Sequence, residues 1–284
     1  PKIEESRENE TIGKNEFGLS VLNESIQSIK AELRKLEKLS SEEIQTERVL
    51  ESKTVSNLFQ FSGVSKNVVE LLDKNSSEKN LEHMAKLLSK MFVSGKCPNF
   101  EASDLFLVVG PRLSGKSIFS KKLMALMESK EEIKDCKSID CENLKAAVTK
   151  ISSWASKNMV SESTSKSIAI SELGDAIEID RLLLEIHKHN PKLKISVINI
   201  CAAGNSYQYL RRNFPKRTMD NEYLAITKLD LCDLSLSEIS AFVELNQKCM
   251  FFSGIETEVD GIFFAQVEKV MSHIVKTIGS EELE

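Results

Sequence analysis

The feature that most constrains this chain is a glycine-rich loop placed directly after a short apolar run. Residues 105–109 read L-F-L-V-V, and residues 110–117 continue as G-P-R-L-S-G-K-S, which fulfils the pattern G-x-x-x-x-G-K-[S/T]. Residues 116–128 have the spacing of an amphipathic helix. A strand, a glycine-rich loop and a helix in this order form a phosphate-binding loop, because backbone N–H groups and the helix N-terminus both attract an anion. The pattern predicts an α/β fold with a nucleotide-binding site.

Each residue of the loop has a chemical task in this hypothesis. Gly110, Ser114 and Gly115 lie where the backbone has to approach the phosphates closely. The ammonium group of Lys116 would reach the β- and γ-phosphates, and the hydroxyl of Ser117 would ligate Mg²⁺. The alternative is a chance match in a surface loop. The strand before the loop and the helix after it favour the phosphate-binding hypothesis.

A second pattern indicates which base the nucleotide carries. Residues 225–230 read A-I-T-K-L-D and end a predicted strand. The carboxylate of Asp230 can accept both the ring N–H and the exocyclic amine of guanine, while the stem of Lys228 lies along the base. Thr227 completes the T-K-x-D pattern. Lysine and aspartate after a strand are common loop residues, but their position late in the chain favours guanine recognition.

Composition excludes several classes of protein. The chain has 284 residues with a formal net charge of -5, so we expect no direct DNA binding, which demands a basic surface. Charged residues make up 29% and hydrophobic residues 41%, as in a globular protein with a core. We find neither an apolar stretch of about 20 residues nor a signal peptide, and expect a cytoplasmic location. The dispersed cysteines favour a reducing compartment over a disulfide framework: they are Cys97, Cys136, Cys141, Cys201, Cys232 and Cys249.

The hydrophobic pattern divides the chain into three predicted segments. Residues 1–20 form a polar leader, 21–98 a helical domain of about four helices, and 99–284 a phosphate-loop domain in which strands and helices alternate. Such alternation predicts right-handed crossovers and a mostly parallel sheet. The predicted strands are 105–109, 167–170, 195–200, 223–227 and 250–252. The predicted helices of this domain are 116–128, 143–158, 176–188, 204–212, 235–247 and 260–278.

With both motifs placed, the chain resembles the signal-recognition-particle GTPases, most closely their receptor (FtsY) branch. Residues 141–155 resemble the family motif D-T-F-R-A-A-A-V-E-Q-L-x-x-W-A, and 170–174 lie in the place of I-D-T-A-G. Residues 252–264 loosely follow the closing G-x-G-E-x-x-D-D-L motif, and 58–64 resemble the contact A-L-L-E-A-D-V between the family's N and G domains. The resemblance implies a four-helix N domain next to a Ras-like G domain that binds GTP and Mg²⁺, with Gly174 meeting the γ-phosphate.

The departures from the family pattern fall on residues of its chemistry. Cys141, Leu144 and Lys150 replace the aspartate, arginine and glutamine that position water and contact the γ-phosphate in the family. Ser171 replaces the magnesium-side aspartate, and we expect the neighbouring Glu172 to point to the opposite face of its strand. Further replacements occur inside and just after the phosphate loop, where Leu113 stands for a glycine and Ile118 for a threonine. The resemblance therefore implies nucleotide binding with impaired hydrolysis.

Three functions stay open at this stage. The first is a divergent receptor-like GTP-binding protein in co-translational targeting, whose partner is a signal-recognition-particle GTPase and whose location is cytoplasmic or peripheral at the inner face of the membrane. The second is a pseudo-GTPase that serves as a scaffold or binding module. The third is a flagellar-placement GTPase of the same family, ranked lower because W-A at 154–155 is receptor-like. The mixed charges of the leader do not indicate a lipid-binding helix.

Overall fold

In the computed structural model, the described residues lie between positions 55 and 281. The described ranges are 55–95, 102–131, 133–141, 143–158, 166–173, 178–254 and 261–281. The predicted leader, the helices predicted before residue 55, and Gly174 therefore lie outside the described residues. The boundary predicted near residue 98 also falls between two described ranges and stays a prediction.

The described chain begins with helices only, and from residue 105 onwards a helix connects each pair of consecutive parallel strands. Three of the helices begin at a serine and one at an asparagine whose side chain accepts a backbone N–H of the first turn, which satisfies an otherwise unpaired donor. The helices are α1 (55–61), α2 (Lys66–Asn75), α3 (Leu81–Phe92), α4 (Lys116–Glu128), α5 (Leu144–Asn158), α6 (Ile179–His189), α7 (Tyr207–Asn213), α8 (Leu236–Glu244) and α9 (Val267–Glu281).

A seven-stranded sheet in the order β2-β3-β1-β4-β5-β6-β7 forms the centre of the described chain. All neighbouring strands are parallel except β6 and β7, which are antiparallel. The strands are β1 (Leu105–Val109), β2 (Ile133–Cys141), β3 (Lys166–Leu173), β4 (Ile195–Ala202), β5 (Glu222–Thr227), β6 (Cys249–Ser253) and β7 (Ile262–Phe264). The predicted α/β class with a mostly parallel sheet is confirmed.

The two faces of the sheet are buried under different helices. Helix α4 covers one face, where Phe119 and Leu123 pack against Phe106 and Val108 of β1. On the other face α5 and α6 cover β1, where Ile151 packs into the same cluster as the other β1 side chains. The helices α2, α3, α8 and α9 enclose a separate cluster on β5 and the end of β4. Both faces are thus apolar, which explains the continuous hydrophobic runs of the central strands.

Helices α2 and α3 pack against the rest of the described chain through a buried polar connection as well as apolar contacts. The Glu244 side chain is 5% exposed and accepts hydrogen bonds from the hydroxyl of Ser65, the N-cap residue of α2, and from the guanidinium of Arg211. The hydroxyl of Tyr207 donates to the same carboxylate at 2.9 Å. One carboxylate at the end of α8 thus joins α2 to α7, because three donors converge on it.

Candidate nucleotide-binding site

The glycine-rich loop connects the end of β1 with the start of α4. Gly115 is the N-cap residue of α4 and has a φ of 89°, in the left-handed region that favours glycine. Gly110 has a φ of 151°, and a Cβ atom at this position would collide with the backbone oxygen of Ile200. Both glycines of the pattern are therefore required by the backbone, and the predicted strand–loop–helix arrangement is found.

The Lys116 side chain lies over the loop. Its ammonium group donates to the backbone oxygens of Gly110 at 2.5 Å and of Pro111 at 3.2 Å. An ammonium held by carbonyl oxygens of the loop is placed beside the backbone that would surround a phosphate, so charge and position fit the predicted role.

Two further observations test whether the loop fits an anion. The hydroxyl oxygen of Ser114 is buried and has no hydrogen-bond partner, although Ser114 is only 3% exposed. No side chain caps the N-terminus of α4 or of α6, whereas the N-caps of α2, α3, α7 and α8 are satisfied by side chains. An unpaired hydroxyl and an uncapped helix N-terminus are both stabilised by an acceptor-rich group such as phosphate.

Leu113 occupies a strained position in the same loop. Its φ is 63°, a conformation that costs an L-residue with a Cβ atom roughly 1–2 kcal/mol. The side chain is 89% exposed, so burial does not offset this cost. The loop therefore carries strain, at the position where the family has glycine, that a glycine would not.

The magnesium side of the site differs from the expectation in one respect. The hydroxyl of Ser117 donates to the carboxylate of Glu172 across 2.8 Å. Glu172 on β3 is the register partner of Val108 on β1, and the Val108 side chain packs in the cluster under α4. The side chain of Glu172 therefore lies on the same face of the sheet as α4. Glu172 and Ser171 lie on opposite faces of the sheet, as expected. The face of Glu172 is, however, the one on which the phosphate loop and Ser117 lie. The carboxylate at Ser117 is therefore supplied by Glu172.

Ser171 lies on the other face and takes part in the core. It is fully buried, donates to the backbone oxygen of Ile139 at 3.0 Å, and shares a 3.2 Å hydrogen bond with the thiol of Cys141. Burial raises the pKa of the Cys141 thiol, despite the opposing effects of Ser171 and the positive charge of Lys150. Cys141 is thus a protonated, buried thiol joined to β3, which explains why it cannot replace an aspartate that orients water.

The other two replaced positions of this motif do not supply a water-activating group either. Leu144 begins α5 and packs against the core cluster under α5 and α6. The ammonium of Lys150 donates to the backbone oxygen of Asp140 at 2.7 Å, along the outermost strand β2. Among the described residues, this motif therefore offers neither a carboxylate nor a guanidinium towards the loop.

The T-K-x-D segment lies beside the phosphate loop, and Thr227 connects the two. Its hydroxyl is buried and donates to the backbone oxygen of Ser114 at 2.6 Å. A Cβ atom at Gly115 would lie 3.3 Å from the same hydroxyl. Thr227 thus ties the end of β5 to the phosphate loop. The two motifs, more than 100 residues apart, are in direct contact.

Lys228 and Asp230 form a tight turn at the end of β5. Lys228 has a φ of 60°, and its backbone oxygen accepts the N–H of Leu231 at 3.0 Å. Asp230 is exposed, and its carboxylate is so close to Gly254 that a Cβ atom there would lie 2.5 Å from it. Gly254 was not singled out from the sequence. Its φ of 100° and this close approach show that the segment after β6 packs against the turn.

The donor set around Ser117 also fits Mg²⁺. Mg²⁺ prefers oxygen ligands and is commonly bound by one or two protein groups together with phosphates and waters. Ser117 and Glu172 offer a hydroxyl and a carboxylate side by side. Within the described ranges, His, Cys, Asp and Glu form no group of three that could hold a metal ion, so a cage made only of such side chains is not found there.

Comparisons with known proteins identify the fold. No family model matches the chain, and no curated protein matches it. Among solved structures, chloroplast FtsY from Physcomitrella patens has a TM-score of 0.55 at 12% identity, over 78% of this chain and 88% of the other. The receptor FtsY from Elizabethkingia anophelis in complex with GDP has a TM-score of 0.53 at 13% identity, over 79% and 85%. FlhF complexed with GTP/Mg²⁺ has a TM-score of 0.51 at 14% identity, over 79% of this chain and 99% of the other.

The chain is thus a phosphate-loop α/β protein by its sheet order and loop. More narrowly, it has the fold that the signal-recognition-particle GTPases FtsY and FlhF share, which confirms the resemblance inferred from the motifs. At 12–15% identity this likeness concerns the fold. No helix in the described ranges is both long and apolar enough to cross a membrane.

Proposed function

We propose that this protein binds GTP together with Mg²⁺ at the glycine-rich loop. The observation that carries the proposal is the hydrogen bond between Ser117 and Glu172 at the start of α4, since it puts a magnesium-type donor pair beside Lys116. Gly110, Ser114, Gly115, Lys116 and Ser117 would surround the phosphates, with Gly174 as a further predicted contact. The bound metal ion would neutralise phosphate charge.

Guanine selectivity belongs to the same proposal and depends on the turn after β5. Asp230 would accept the two donors of the guanine edge, and the stem of Lys228 would lie along the base. Thr227 supports the site indirectly, because it holds this turn against the phosphate loop through the Ser114 carbonyl. The solved structures of FlhF with GTP/Mg²⁺ and of FtsY with GDP support the proposal through their common fold.

We further propose that hydrolysis is weak. Cys141 is buried against β3, Leu144 is part of the core, and Lys150 is bonded to the edge strand. Losing a water-positioning group and a charge-stabilising arginine lowers the rate of phosphoryl transfer by on the order of 10³–10⁵. Binding depends on other residues and is retained. The protein would then act through its nucleotide-bound state more than through turnover.

For the cellular role we propose a receptor-like function in protein targeting, with a signal-recognition-particle-type GTPase as partner. Cytoplasmic location with peripheral contact at the inner face of the membrane is part of this proposal. A flagellar-placement role is an equal candidate, because FlhF shares the fold to a similar degree. A nucleotide-free scaffold is the alternative from a different class, and it is favoured by the strained Leu113.

Calorimetric titration with a non-hydrolysable GTP analogue and Mg²⁺ tests the proposal. We expect micromolar, guanine-selective binding, with an adenine triphosphate analogue as the control for the base. Lys116→Ala should abolish binding, and Asp230→Asn should weaken it and reduce the preference for guanine. Lys74→Ala, a change at an exposed lysine of α2, is the matched control. Absence of binding at millimolar analogue would leave the scaffold function.

A further inference from the structure

A second cleft lies on the face of the sheet opposite α4. It comprises two adjoining cavities of about 330 and 360 Å³. Both are lined by Asn199 of β4, by Ile179 of α6 and by Pro215, which follows α7. The first cavity also reaches Gly110 and Pro111, on the side of the phosphate loop that faces away from α4. Volumes of this size are typical of small-molecule sites.

The cleft exists because two core clusters on this face do not meet. Val197 of β4 packs into the cluster under α5 and α6, whereas Cys201 packs into the cluster of α7, α8 and α9. Asn199 lies between them on the same face, since side chains alternate along a strand. An apolar side chain at this position would join one of the two clusters, whereas the polar side chain of Asn199 belongs to neither.

Asn199 is only 3% exposed, and the structure records no hydrogen bond of its amide within the described residues. The nitrogen and the oxygen of this amide are open to the space of the cleft, so its two donors and its acceptor are available to a ligand. The amide faces the cleft that it lines. A ligand that offers an adjoining donor and acceptor would satisfy it.

The remaining walls suit a flat ring. Tyr209 and Phe214 of the α7 segment line the first cavity, and Tyr209 is 40% exposed. Phe214 makes an edge contact with Phe242 at 5.4 Å between ring centroids, which fixes its orientation. Val109 and Leu173 add apolar surface at the strand ends. Aromatic side chains stack on any nucleobase, because every base has a π-face.

Charges at the second cavity oppose a phosphate. Glu178 and Asp180 line it together with Arg181 and Lys216, so neither sign is in excess among these four. Glu222 is a fifth charged residue there, and its carboxylate accepts the backbone N–H of Thr218 at 3.1 Å. Three carboxylates and two basic side chains thus line this cavity. An uncharged ligand fits such a lining better than a nucleotide triphosphate, which would need an excess of basic groups.

We propose that this cleft binds an uncharged planar heterocycle of nucleobase size, read by the amide of Asn199 and stacked on the α7 aromatics. Adenine is the base whose edge an asparagine amide complements, since the amide oxygen accepts from N6 while the amide nitrogen donates to N7. The cleft shares Gly110 with the proposed GTP site, but Asn199 points to the sheet face that α4 does not cover, so the heterocycle would bind beside the phosphates and not in their place.

Adenosine titrated into the intact chain tests this proposal, with ligand-observed NMR for detection and calorimetry for affinity. We expect saturable binding that a saturating GTP analogue does not displace. Purine riboside, which lacks the N6 amine, should bind on the order of 10-fold more weakly, because one of two hydrogen bonds is missing. Binding of purine riboside equal to that of adenosine would overturn the role of Asn199.

Asn199→Leu should weaken adenosine binding on the order of 10- to 100-fold, as expected for the loss of a bidentate contact. Tyr209→Ala should weaken it as well through lost stacking, and it serves as a second variant if Asn199→Leu fails to fold. Asn75→Leu, at an exposed asparagine at the end of α2, is the matched control. The thermal midpoint and the affinity for the GTP analogue show that each variant is folded.

The outcomes separate this proposal from the nucleotide site. Unchanged adenosine binding in Lys116→Ala together with its loss in Asn199→Leu supports a second site. Displacement of adenosine by the GTP analogue, or its loss in Lys116→Ala, would show that adenosine occupies the phosphate loop and would overturn the inference. Absence of adenosine binding in a chain that binds the GTP analogue would also overturn it and leave the proposed function standing.

Discussion

The hydroxyl of Ser117 and the carboxylate of Glu172 are 2.8 Å apart, although 55 residues separate them in the chain. The contact joins the first turn of α4 to the end of β3, the second strand from the edge of the sheet. It supplies the negative charge that the serine at position 171 does not. The proposed nucleotide affinity therefore rests on a residue one position away from the family's aspartate.

Replacing Glu172 with glutamine should weaken Mg²⁺-dependent nucleotide binding. The change keeps the size of the side chain and removes its charge, and loss of a group that supports a metal site lowers metal affinity by about 10- to 100-fold. The measurement is titration of the GTP analogue with Mg²⁺ and again with EDTA. Glu70→Gln, at an exposed glutamate of α2, is the control. An unchanged ratio between the two conditions would remove Glu172 from the site.

Much of the fold could be predicted from the sequence because its strong signals are local. The five predicted strands correspond to β1, β3, β4, β5 and β6, which are apolar runs between helical patterns. Strand β2 was missed because five of its nine residues are charged or serine, as expected for an outer strand that faces water. The helix predicted at 260–278 is wrong at its start, because the three residues Ile262–Phe264 pair with β6 as β7 and the helix begins only at Val267.

The site was predictable in its loop and less so in its long-range contacts. Gly110, Gly115, Lys116 and Ser117 follow one another, so their geometry is encoded locally. The direction of Glu172 depends on how β3 pairs with β1, and no local pattern reports that register. The contact of the Thr227 hydroxyl with the Ser114 carbonyl likewise joins residues far apart in the chain. That contact becomes visible only when the ends of β1 and β5 are placed together.

Replacing Leu113 with glycine should stabilise the protein. Leucine at a φ of 63° costs roughly 1–2 kcal/mol, while glycine loses about 0.5–1 kcal/mol through the entropy of the unfolded chain. The net gain is then about 0.5–1 kcal/mol in the free energy of unfolding, measured by urea denaturation. Leu231→Gly is the matched control, since Leu231 is 75% exposed and lacks a positive φ. It should destabilise, and a loss of stability in both variants would contradict the strain at Leu113.

Replacing Thr227 with valine should destabilise the phosphate loop. Valine keeps the shape and removes the hydrogen bond to the Ser114 carbonyl, leaving that oxygen without this donor, at a cost of about 1–3 kcal/mol. Urea denaturation gives the stability, and titration should show weaker binding of the GTP analogue. Thr149→Val is the control, because the exposed Thr149 hydroxyl donates to the backbone oxygen of Lys145 within helix α5. Equal effects of the two substitutions would argue against a specific tie between the loop and β5.

The described thiols should differ sharply in their reactivity. Burial raises the pKa of Cys136 and of Cys201 to about 12, and raises that of Cys249 as well, so these thiols stay protonated at neutral pH. Cys232 is exposed. Alkylation at pH 8 followed by peptide mapping should modify Cys232 first and leave these three and the buried Cys141 protected until the protein unfolds. Rapid modification of Cys201 in the native protein would contradict the packing around β4.

Replacing Gly254 with alanine should disturb the turn that carries Asp230. A Cβ atom at this position would lie 2.5 Å from the Asp230 carboxylate and 2.8 Å from the backbone nitrogen of Leu229, so the turn has to move. We expect weaker binding of the GTP analogue and less preference for guanine over adenine. The positive φ of Gly254 adds conformational strain of its own.

Gly95→Ala separates the two effects, because Gly95 also has a positive φ, of 66°, while a Cβ atom there would meet nothing within 4 Å. Both substitutions should lower the free energy of unfolding by about 1 kcal/mol through backbone strain, and Gly254→Ala should lower it further through the collision. Base selectivity should change in Gly254→Ala alone. If both variants bound the GTP analogue like the unaltered protein, the turn after β5 would not form the base site, and guanine selectivity would have to come from elsewhere in the chain.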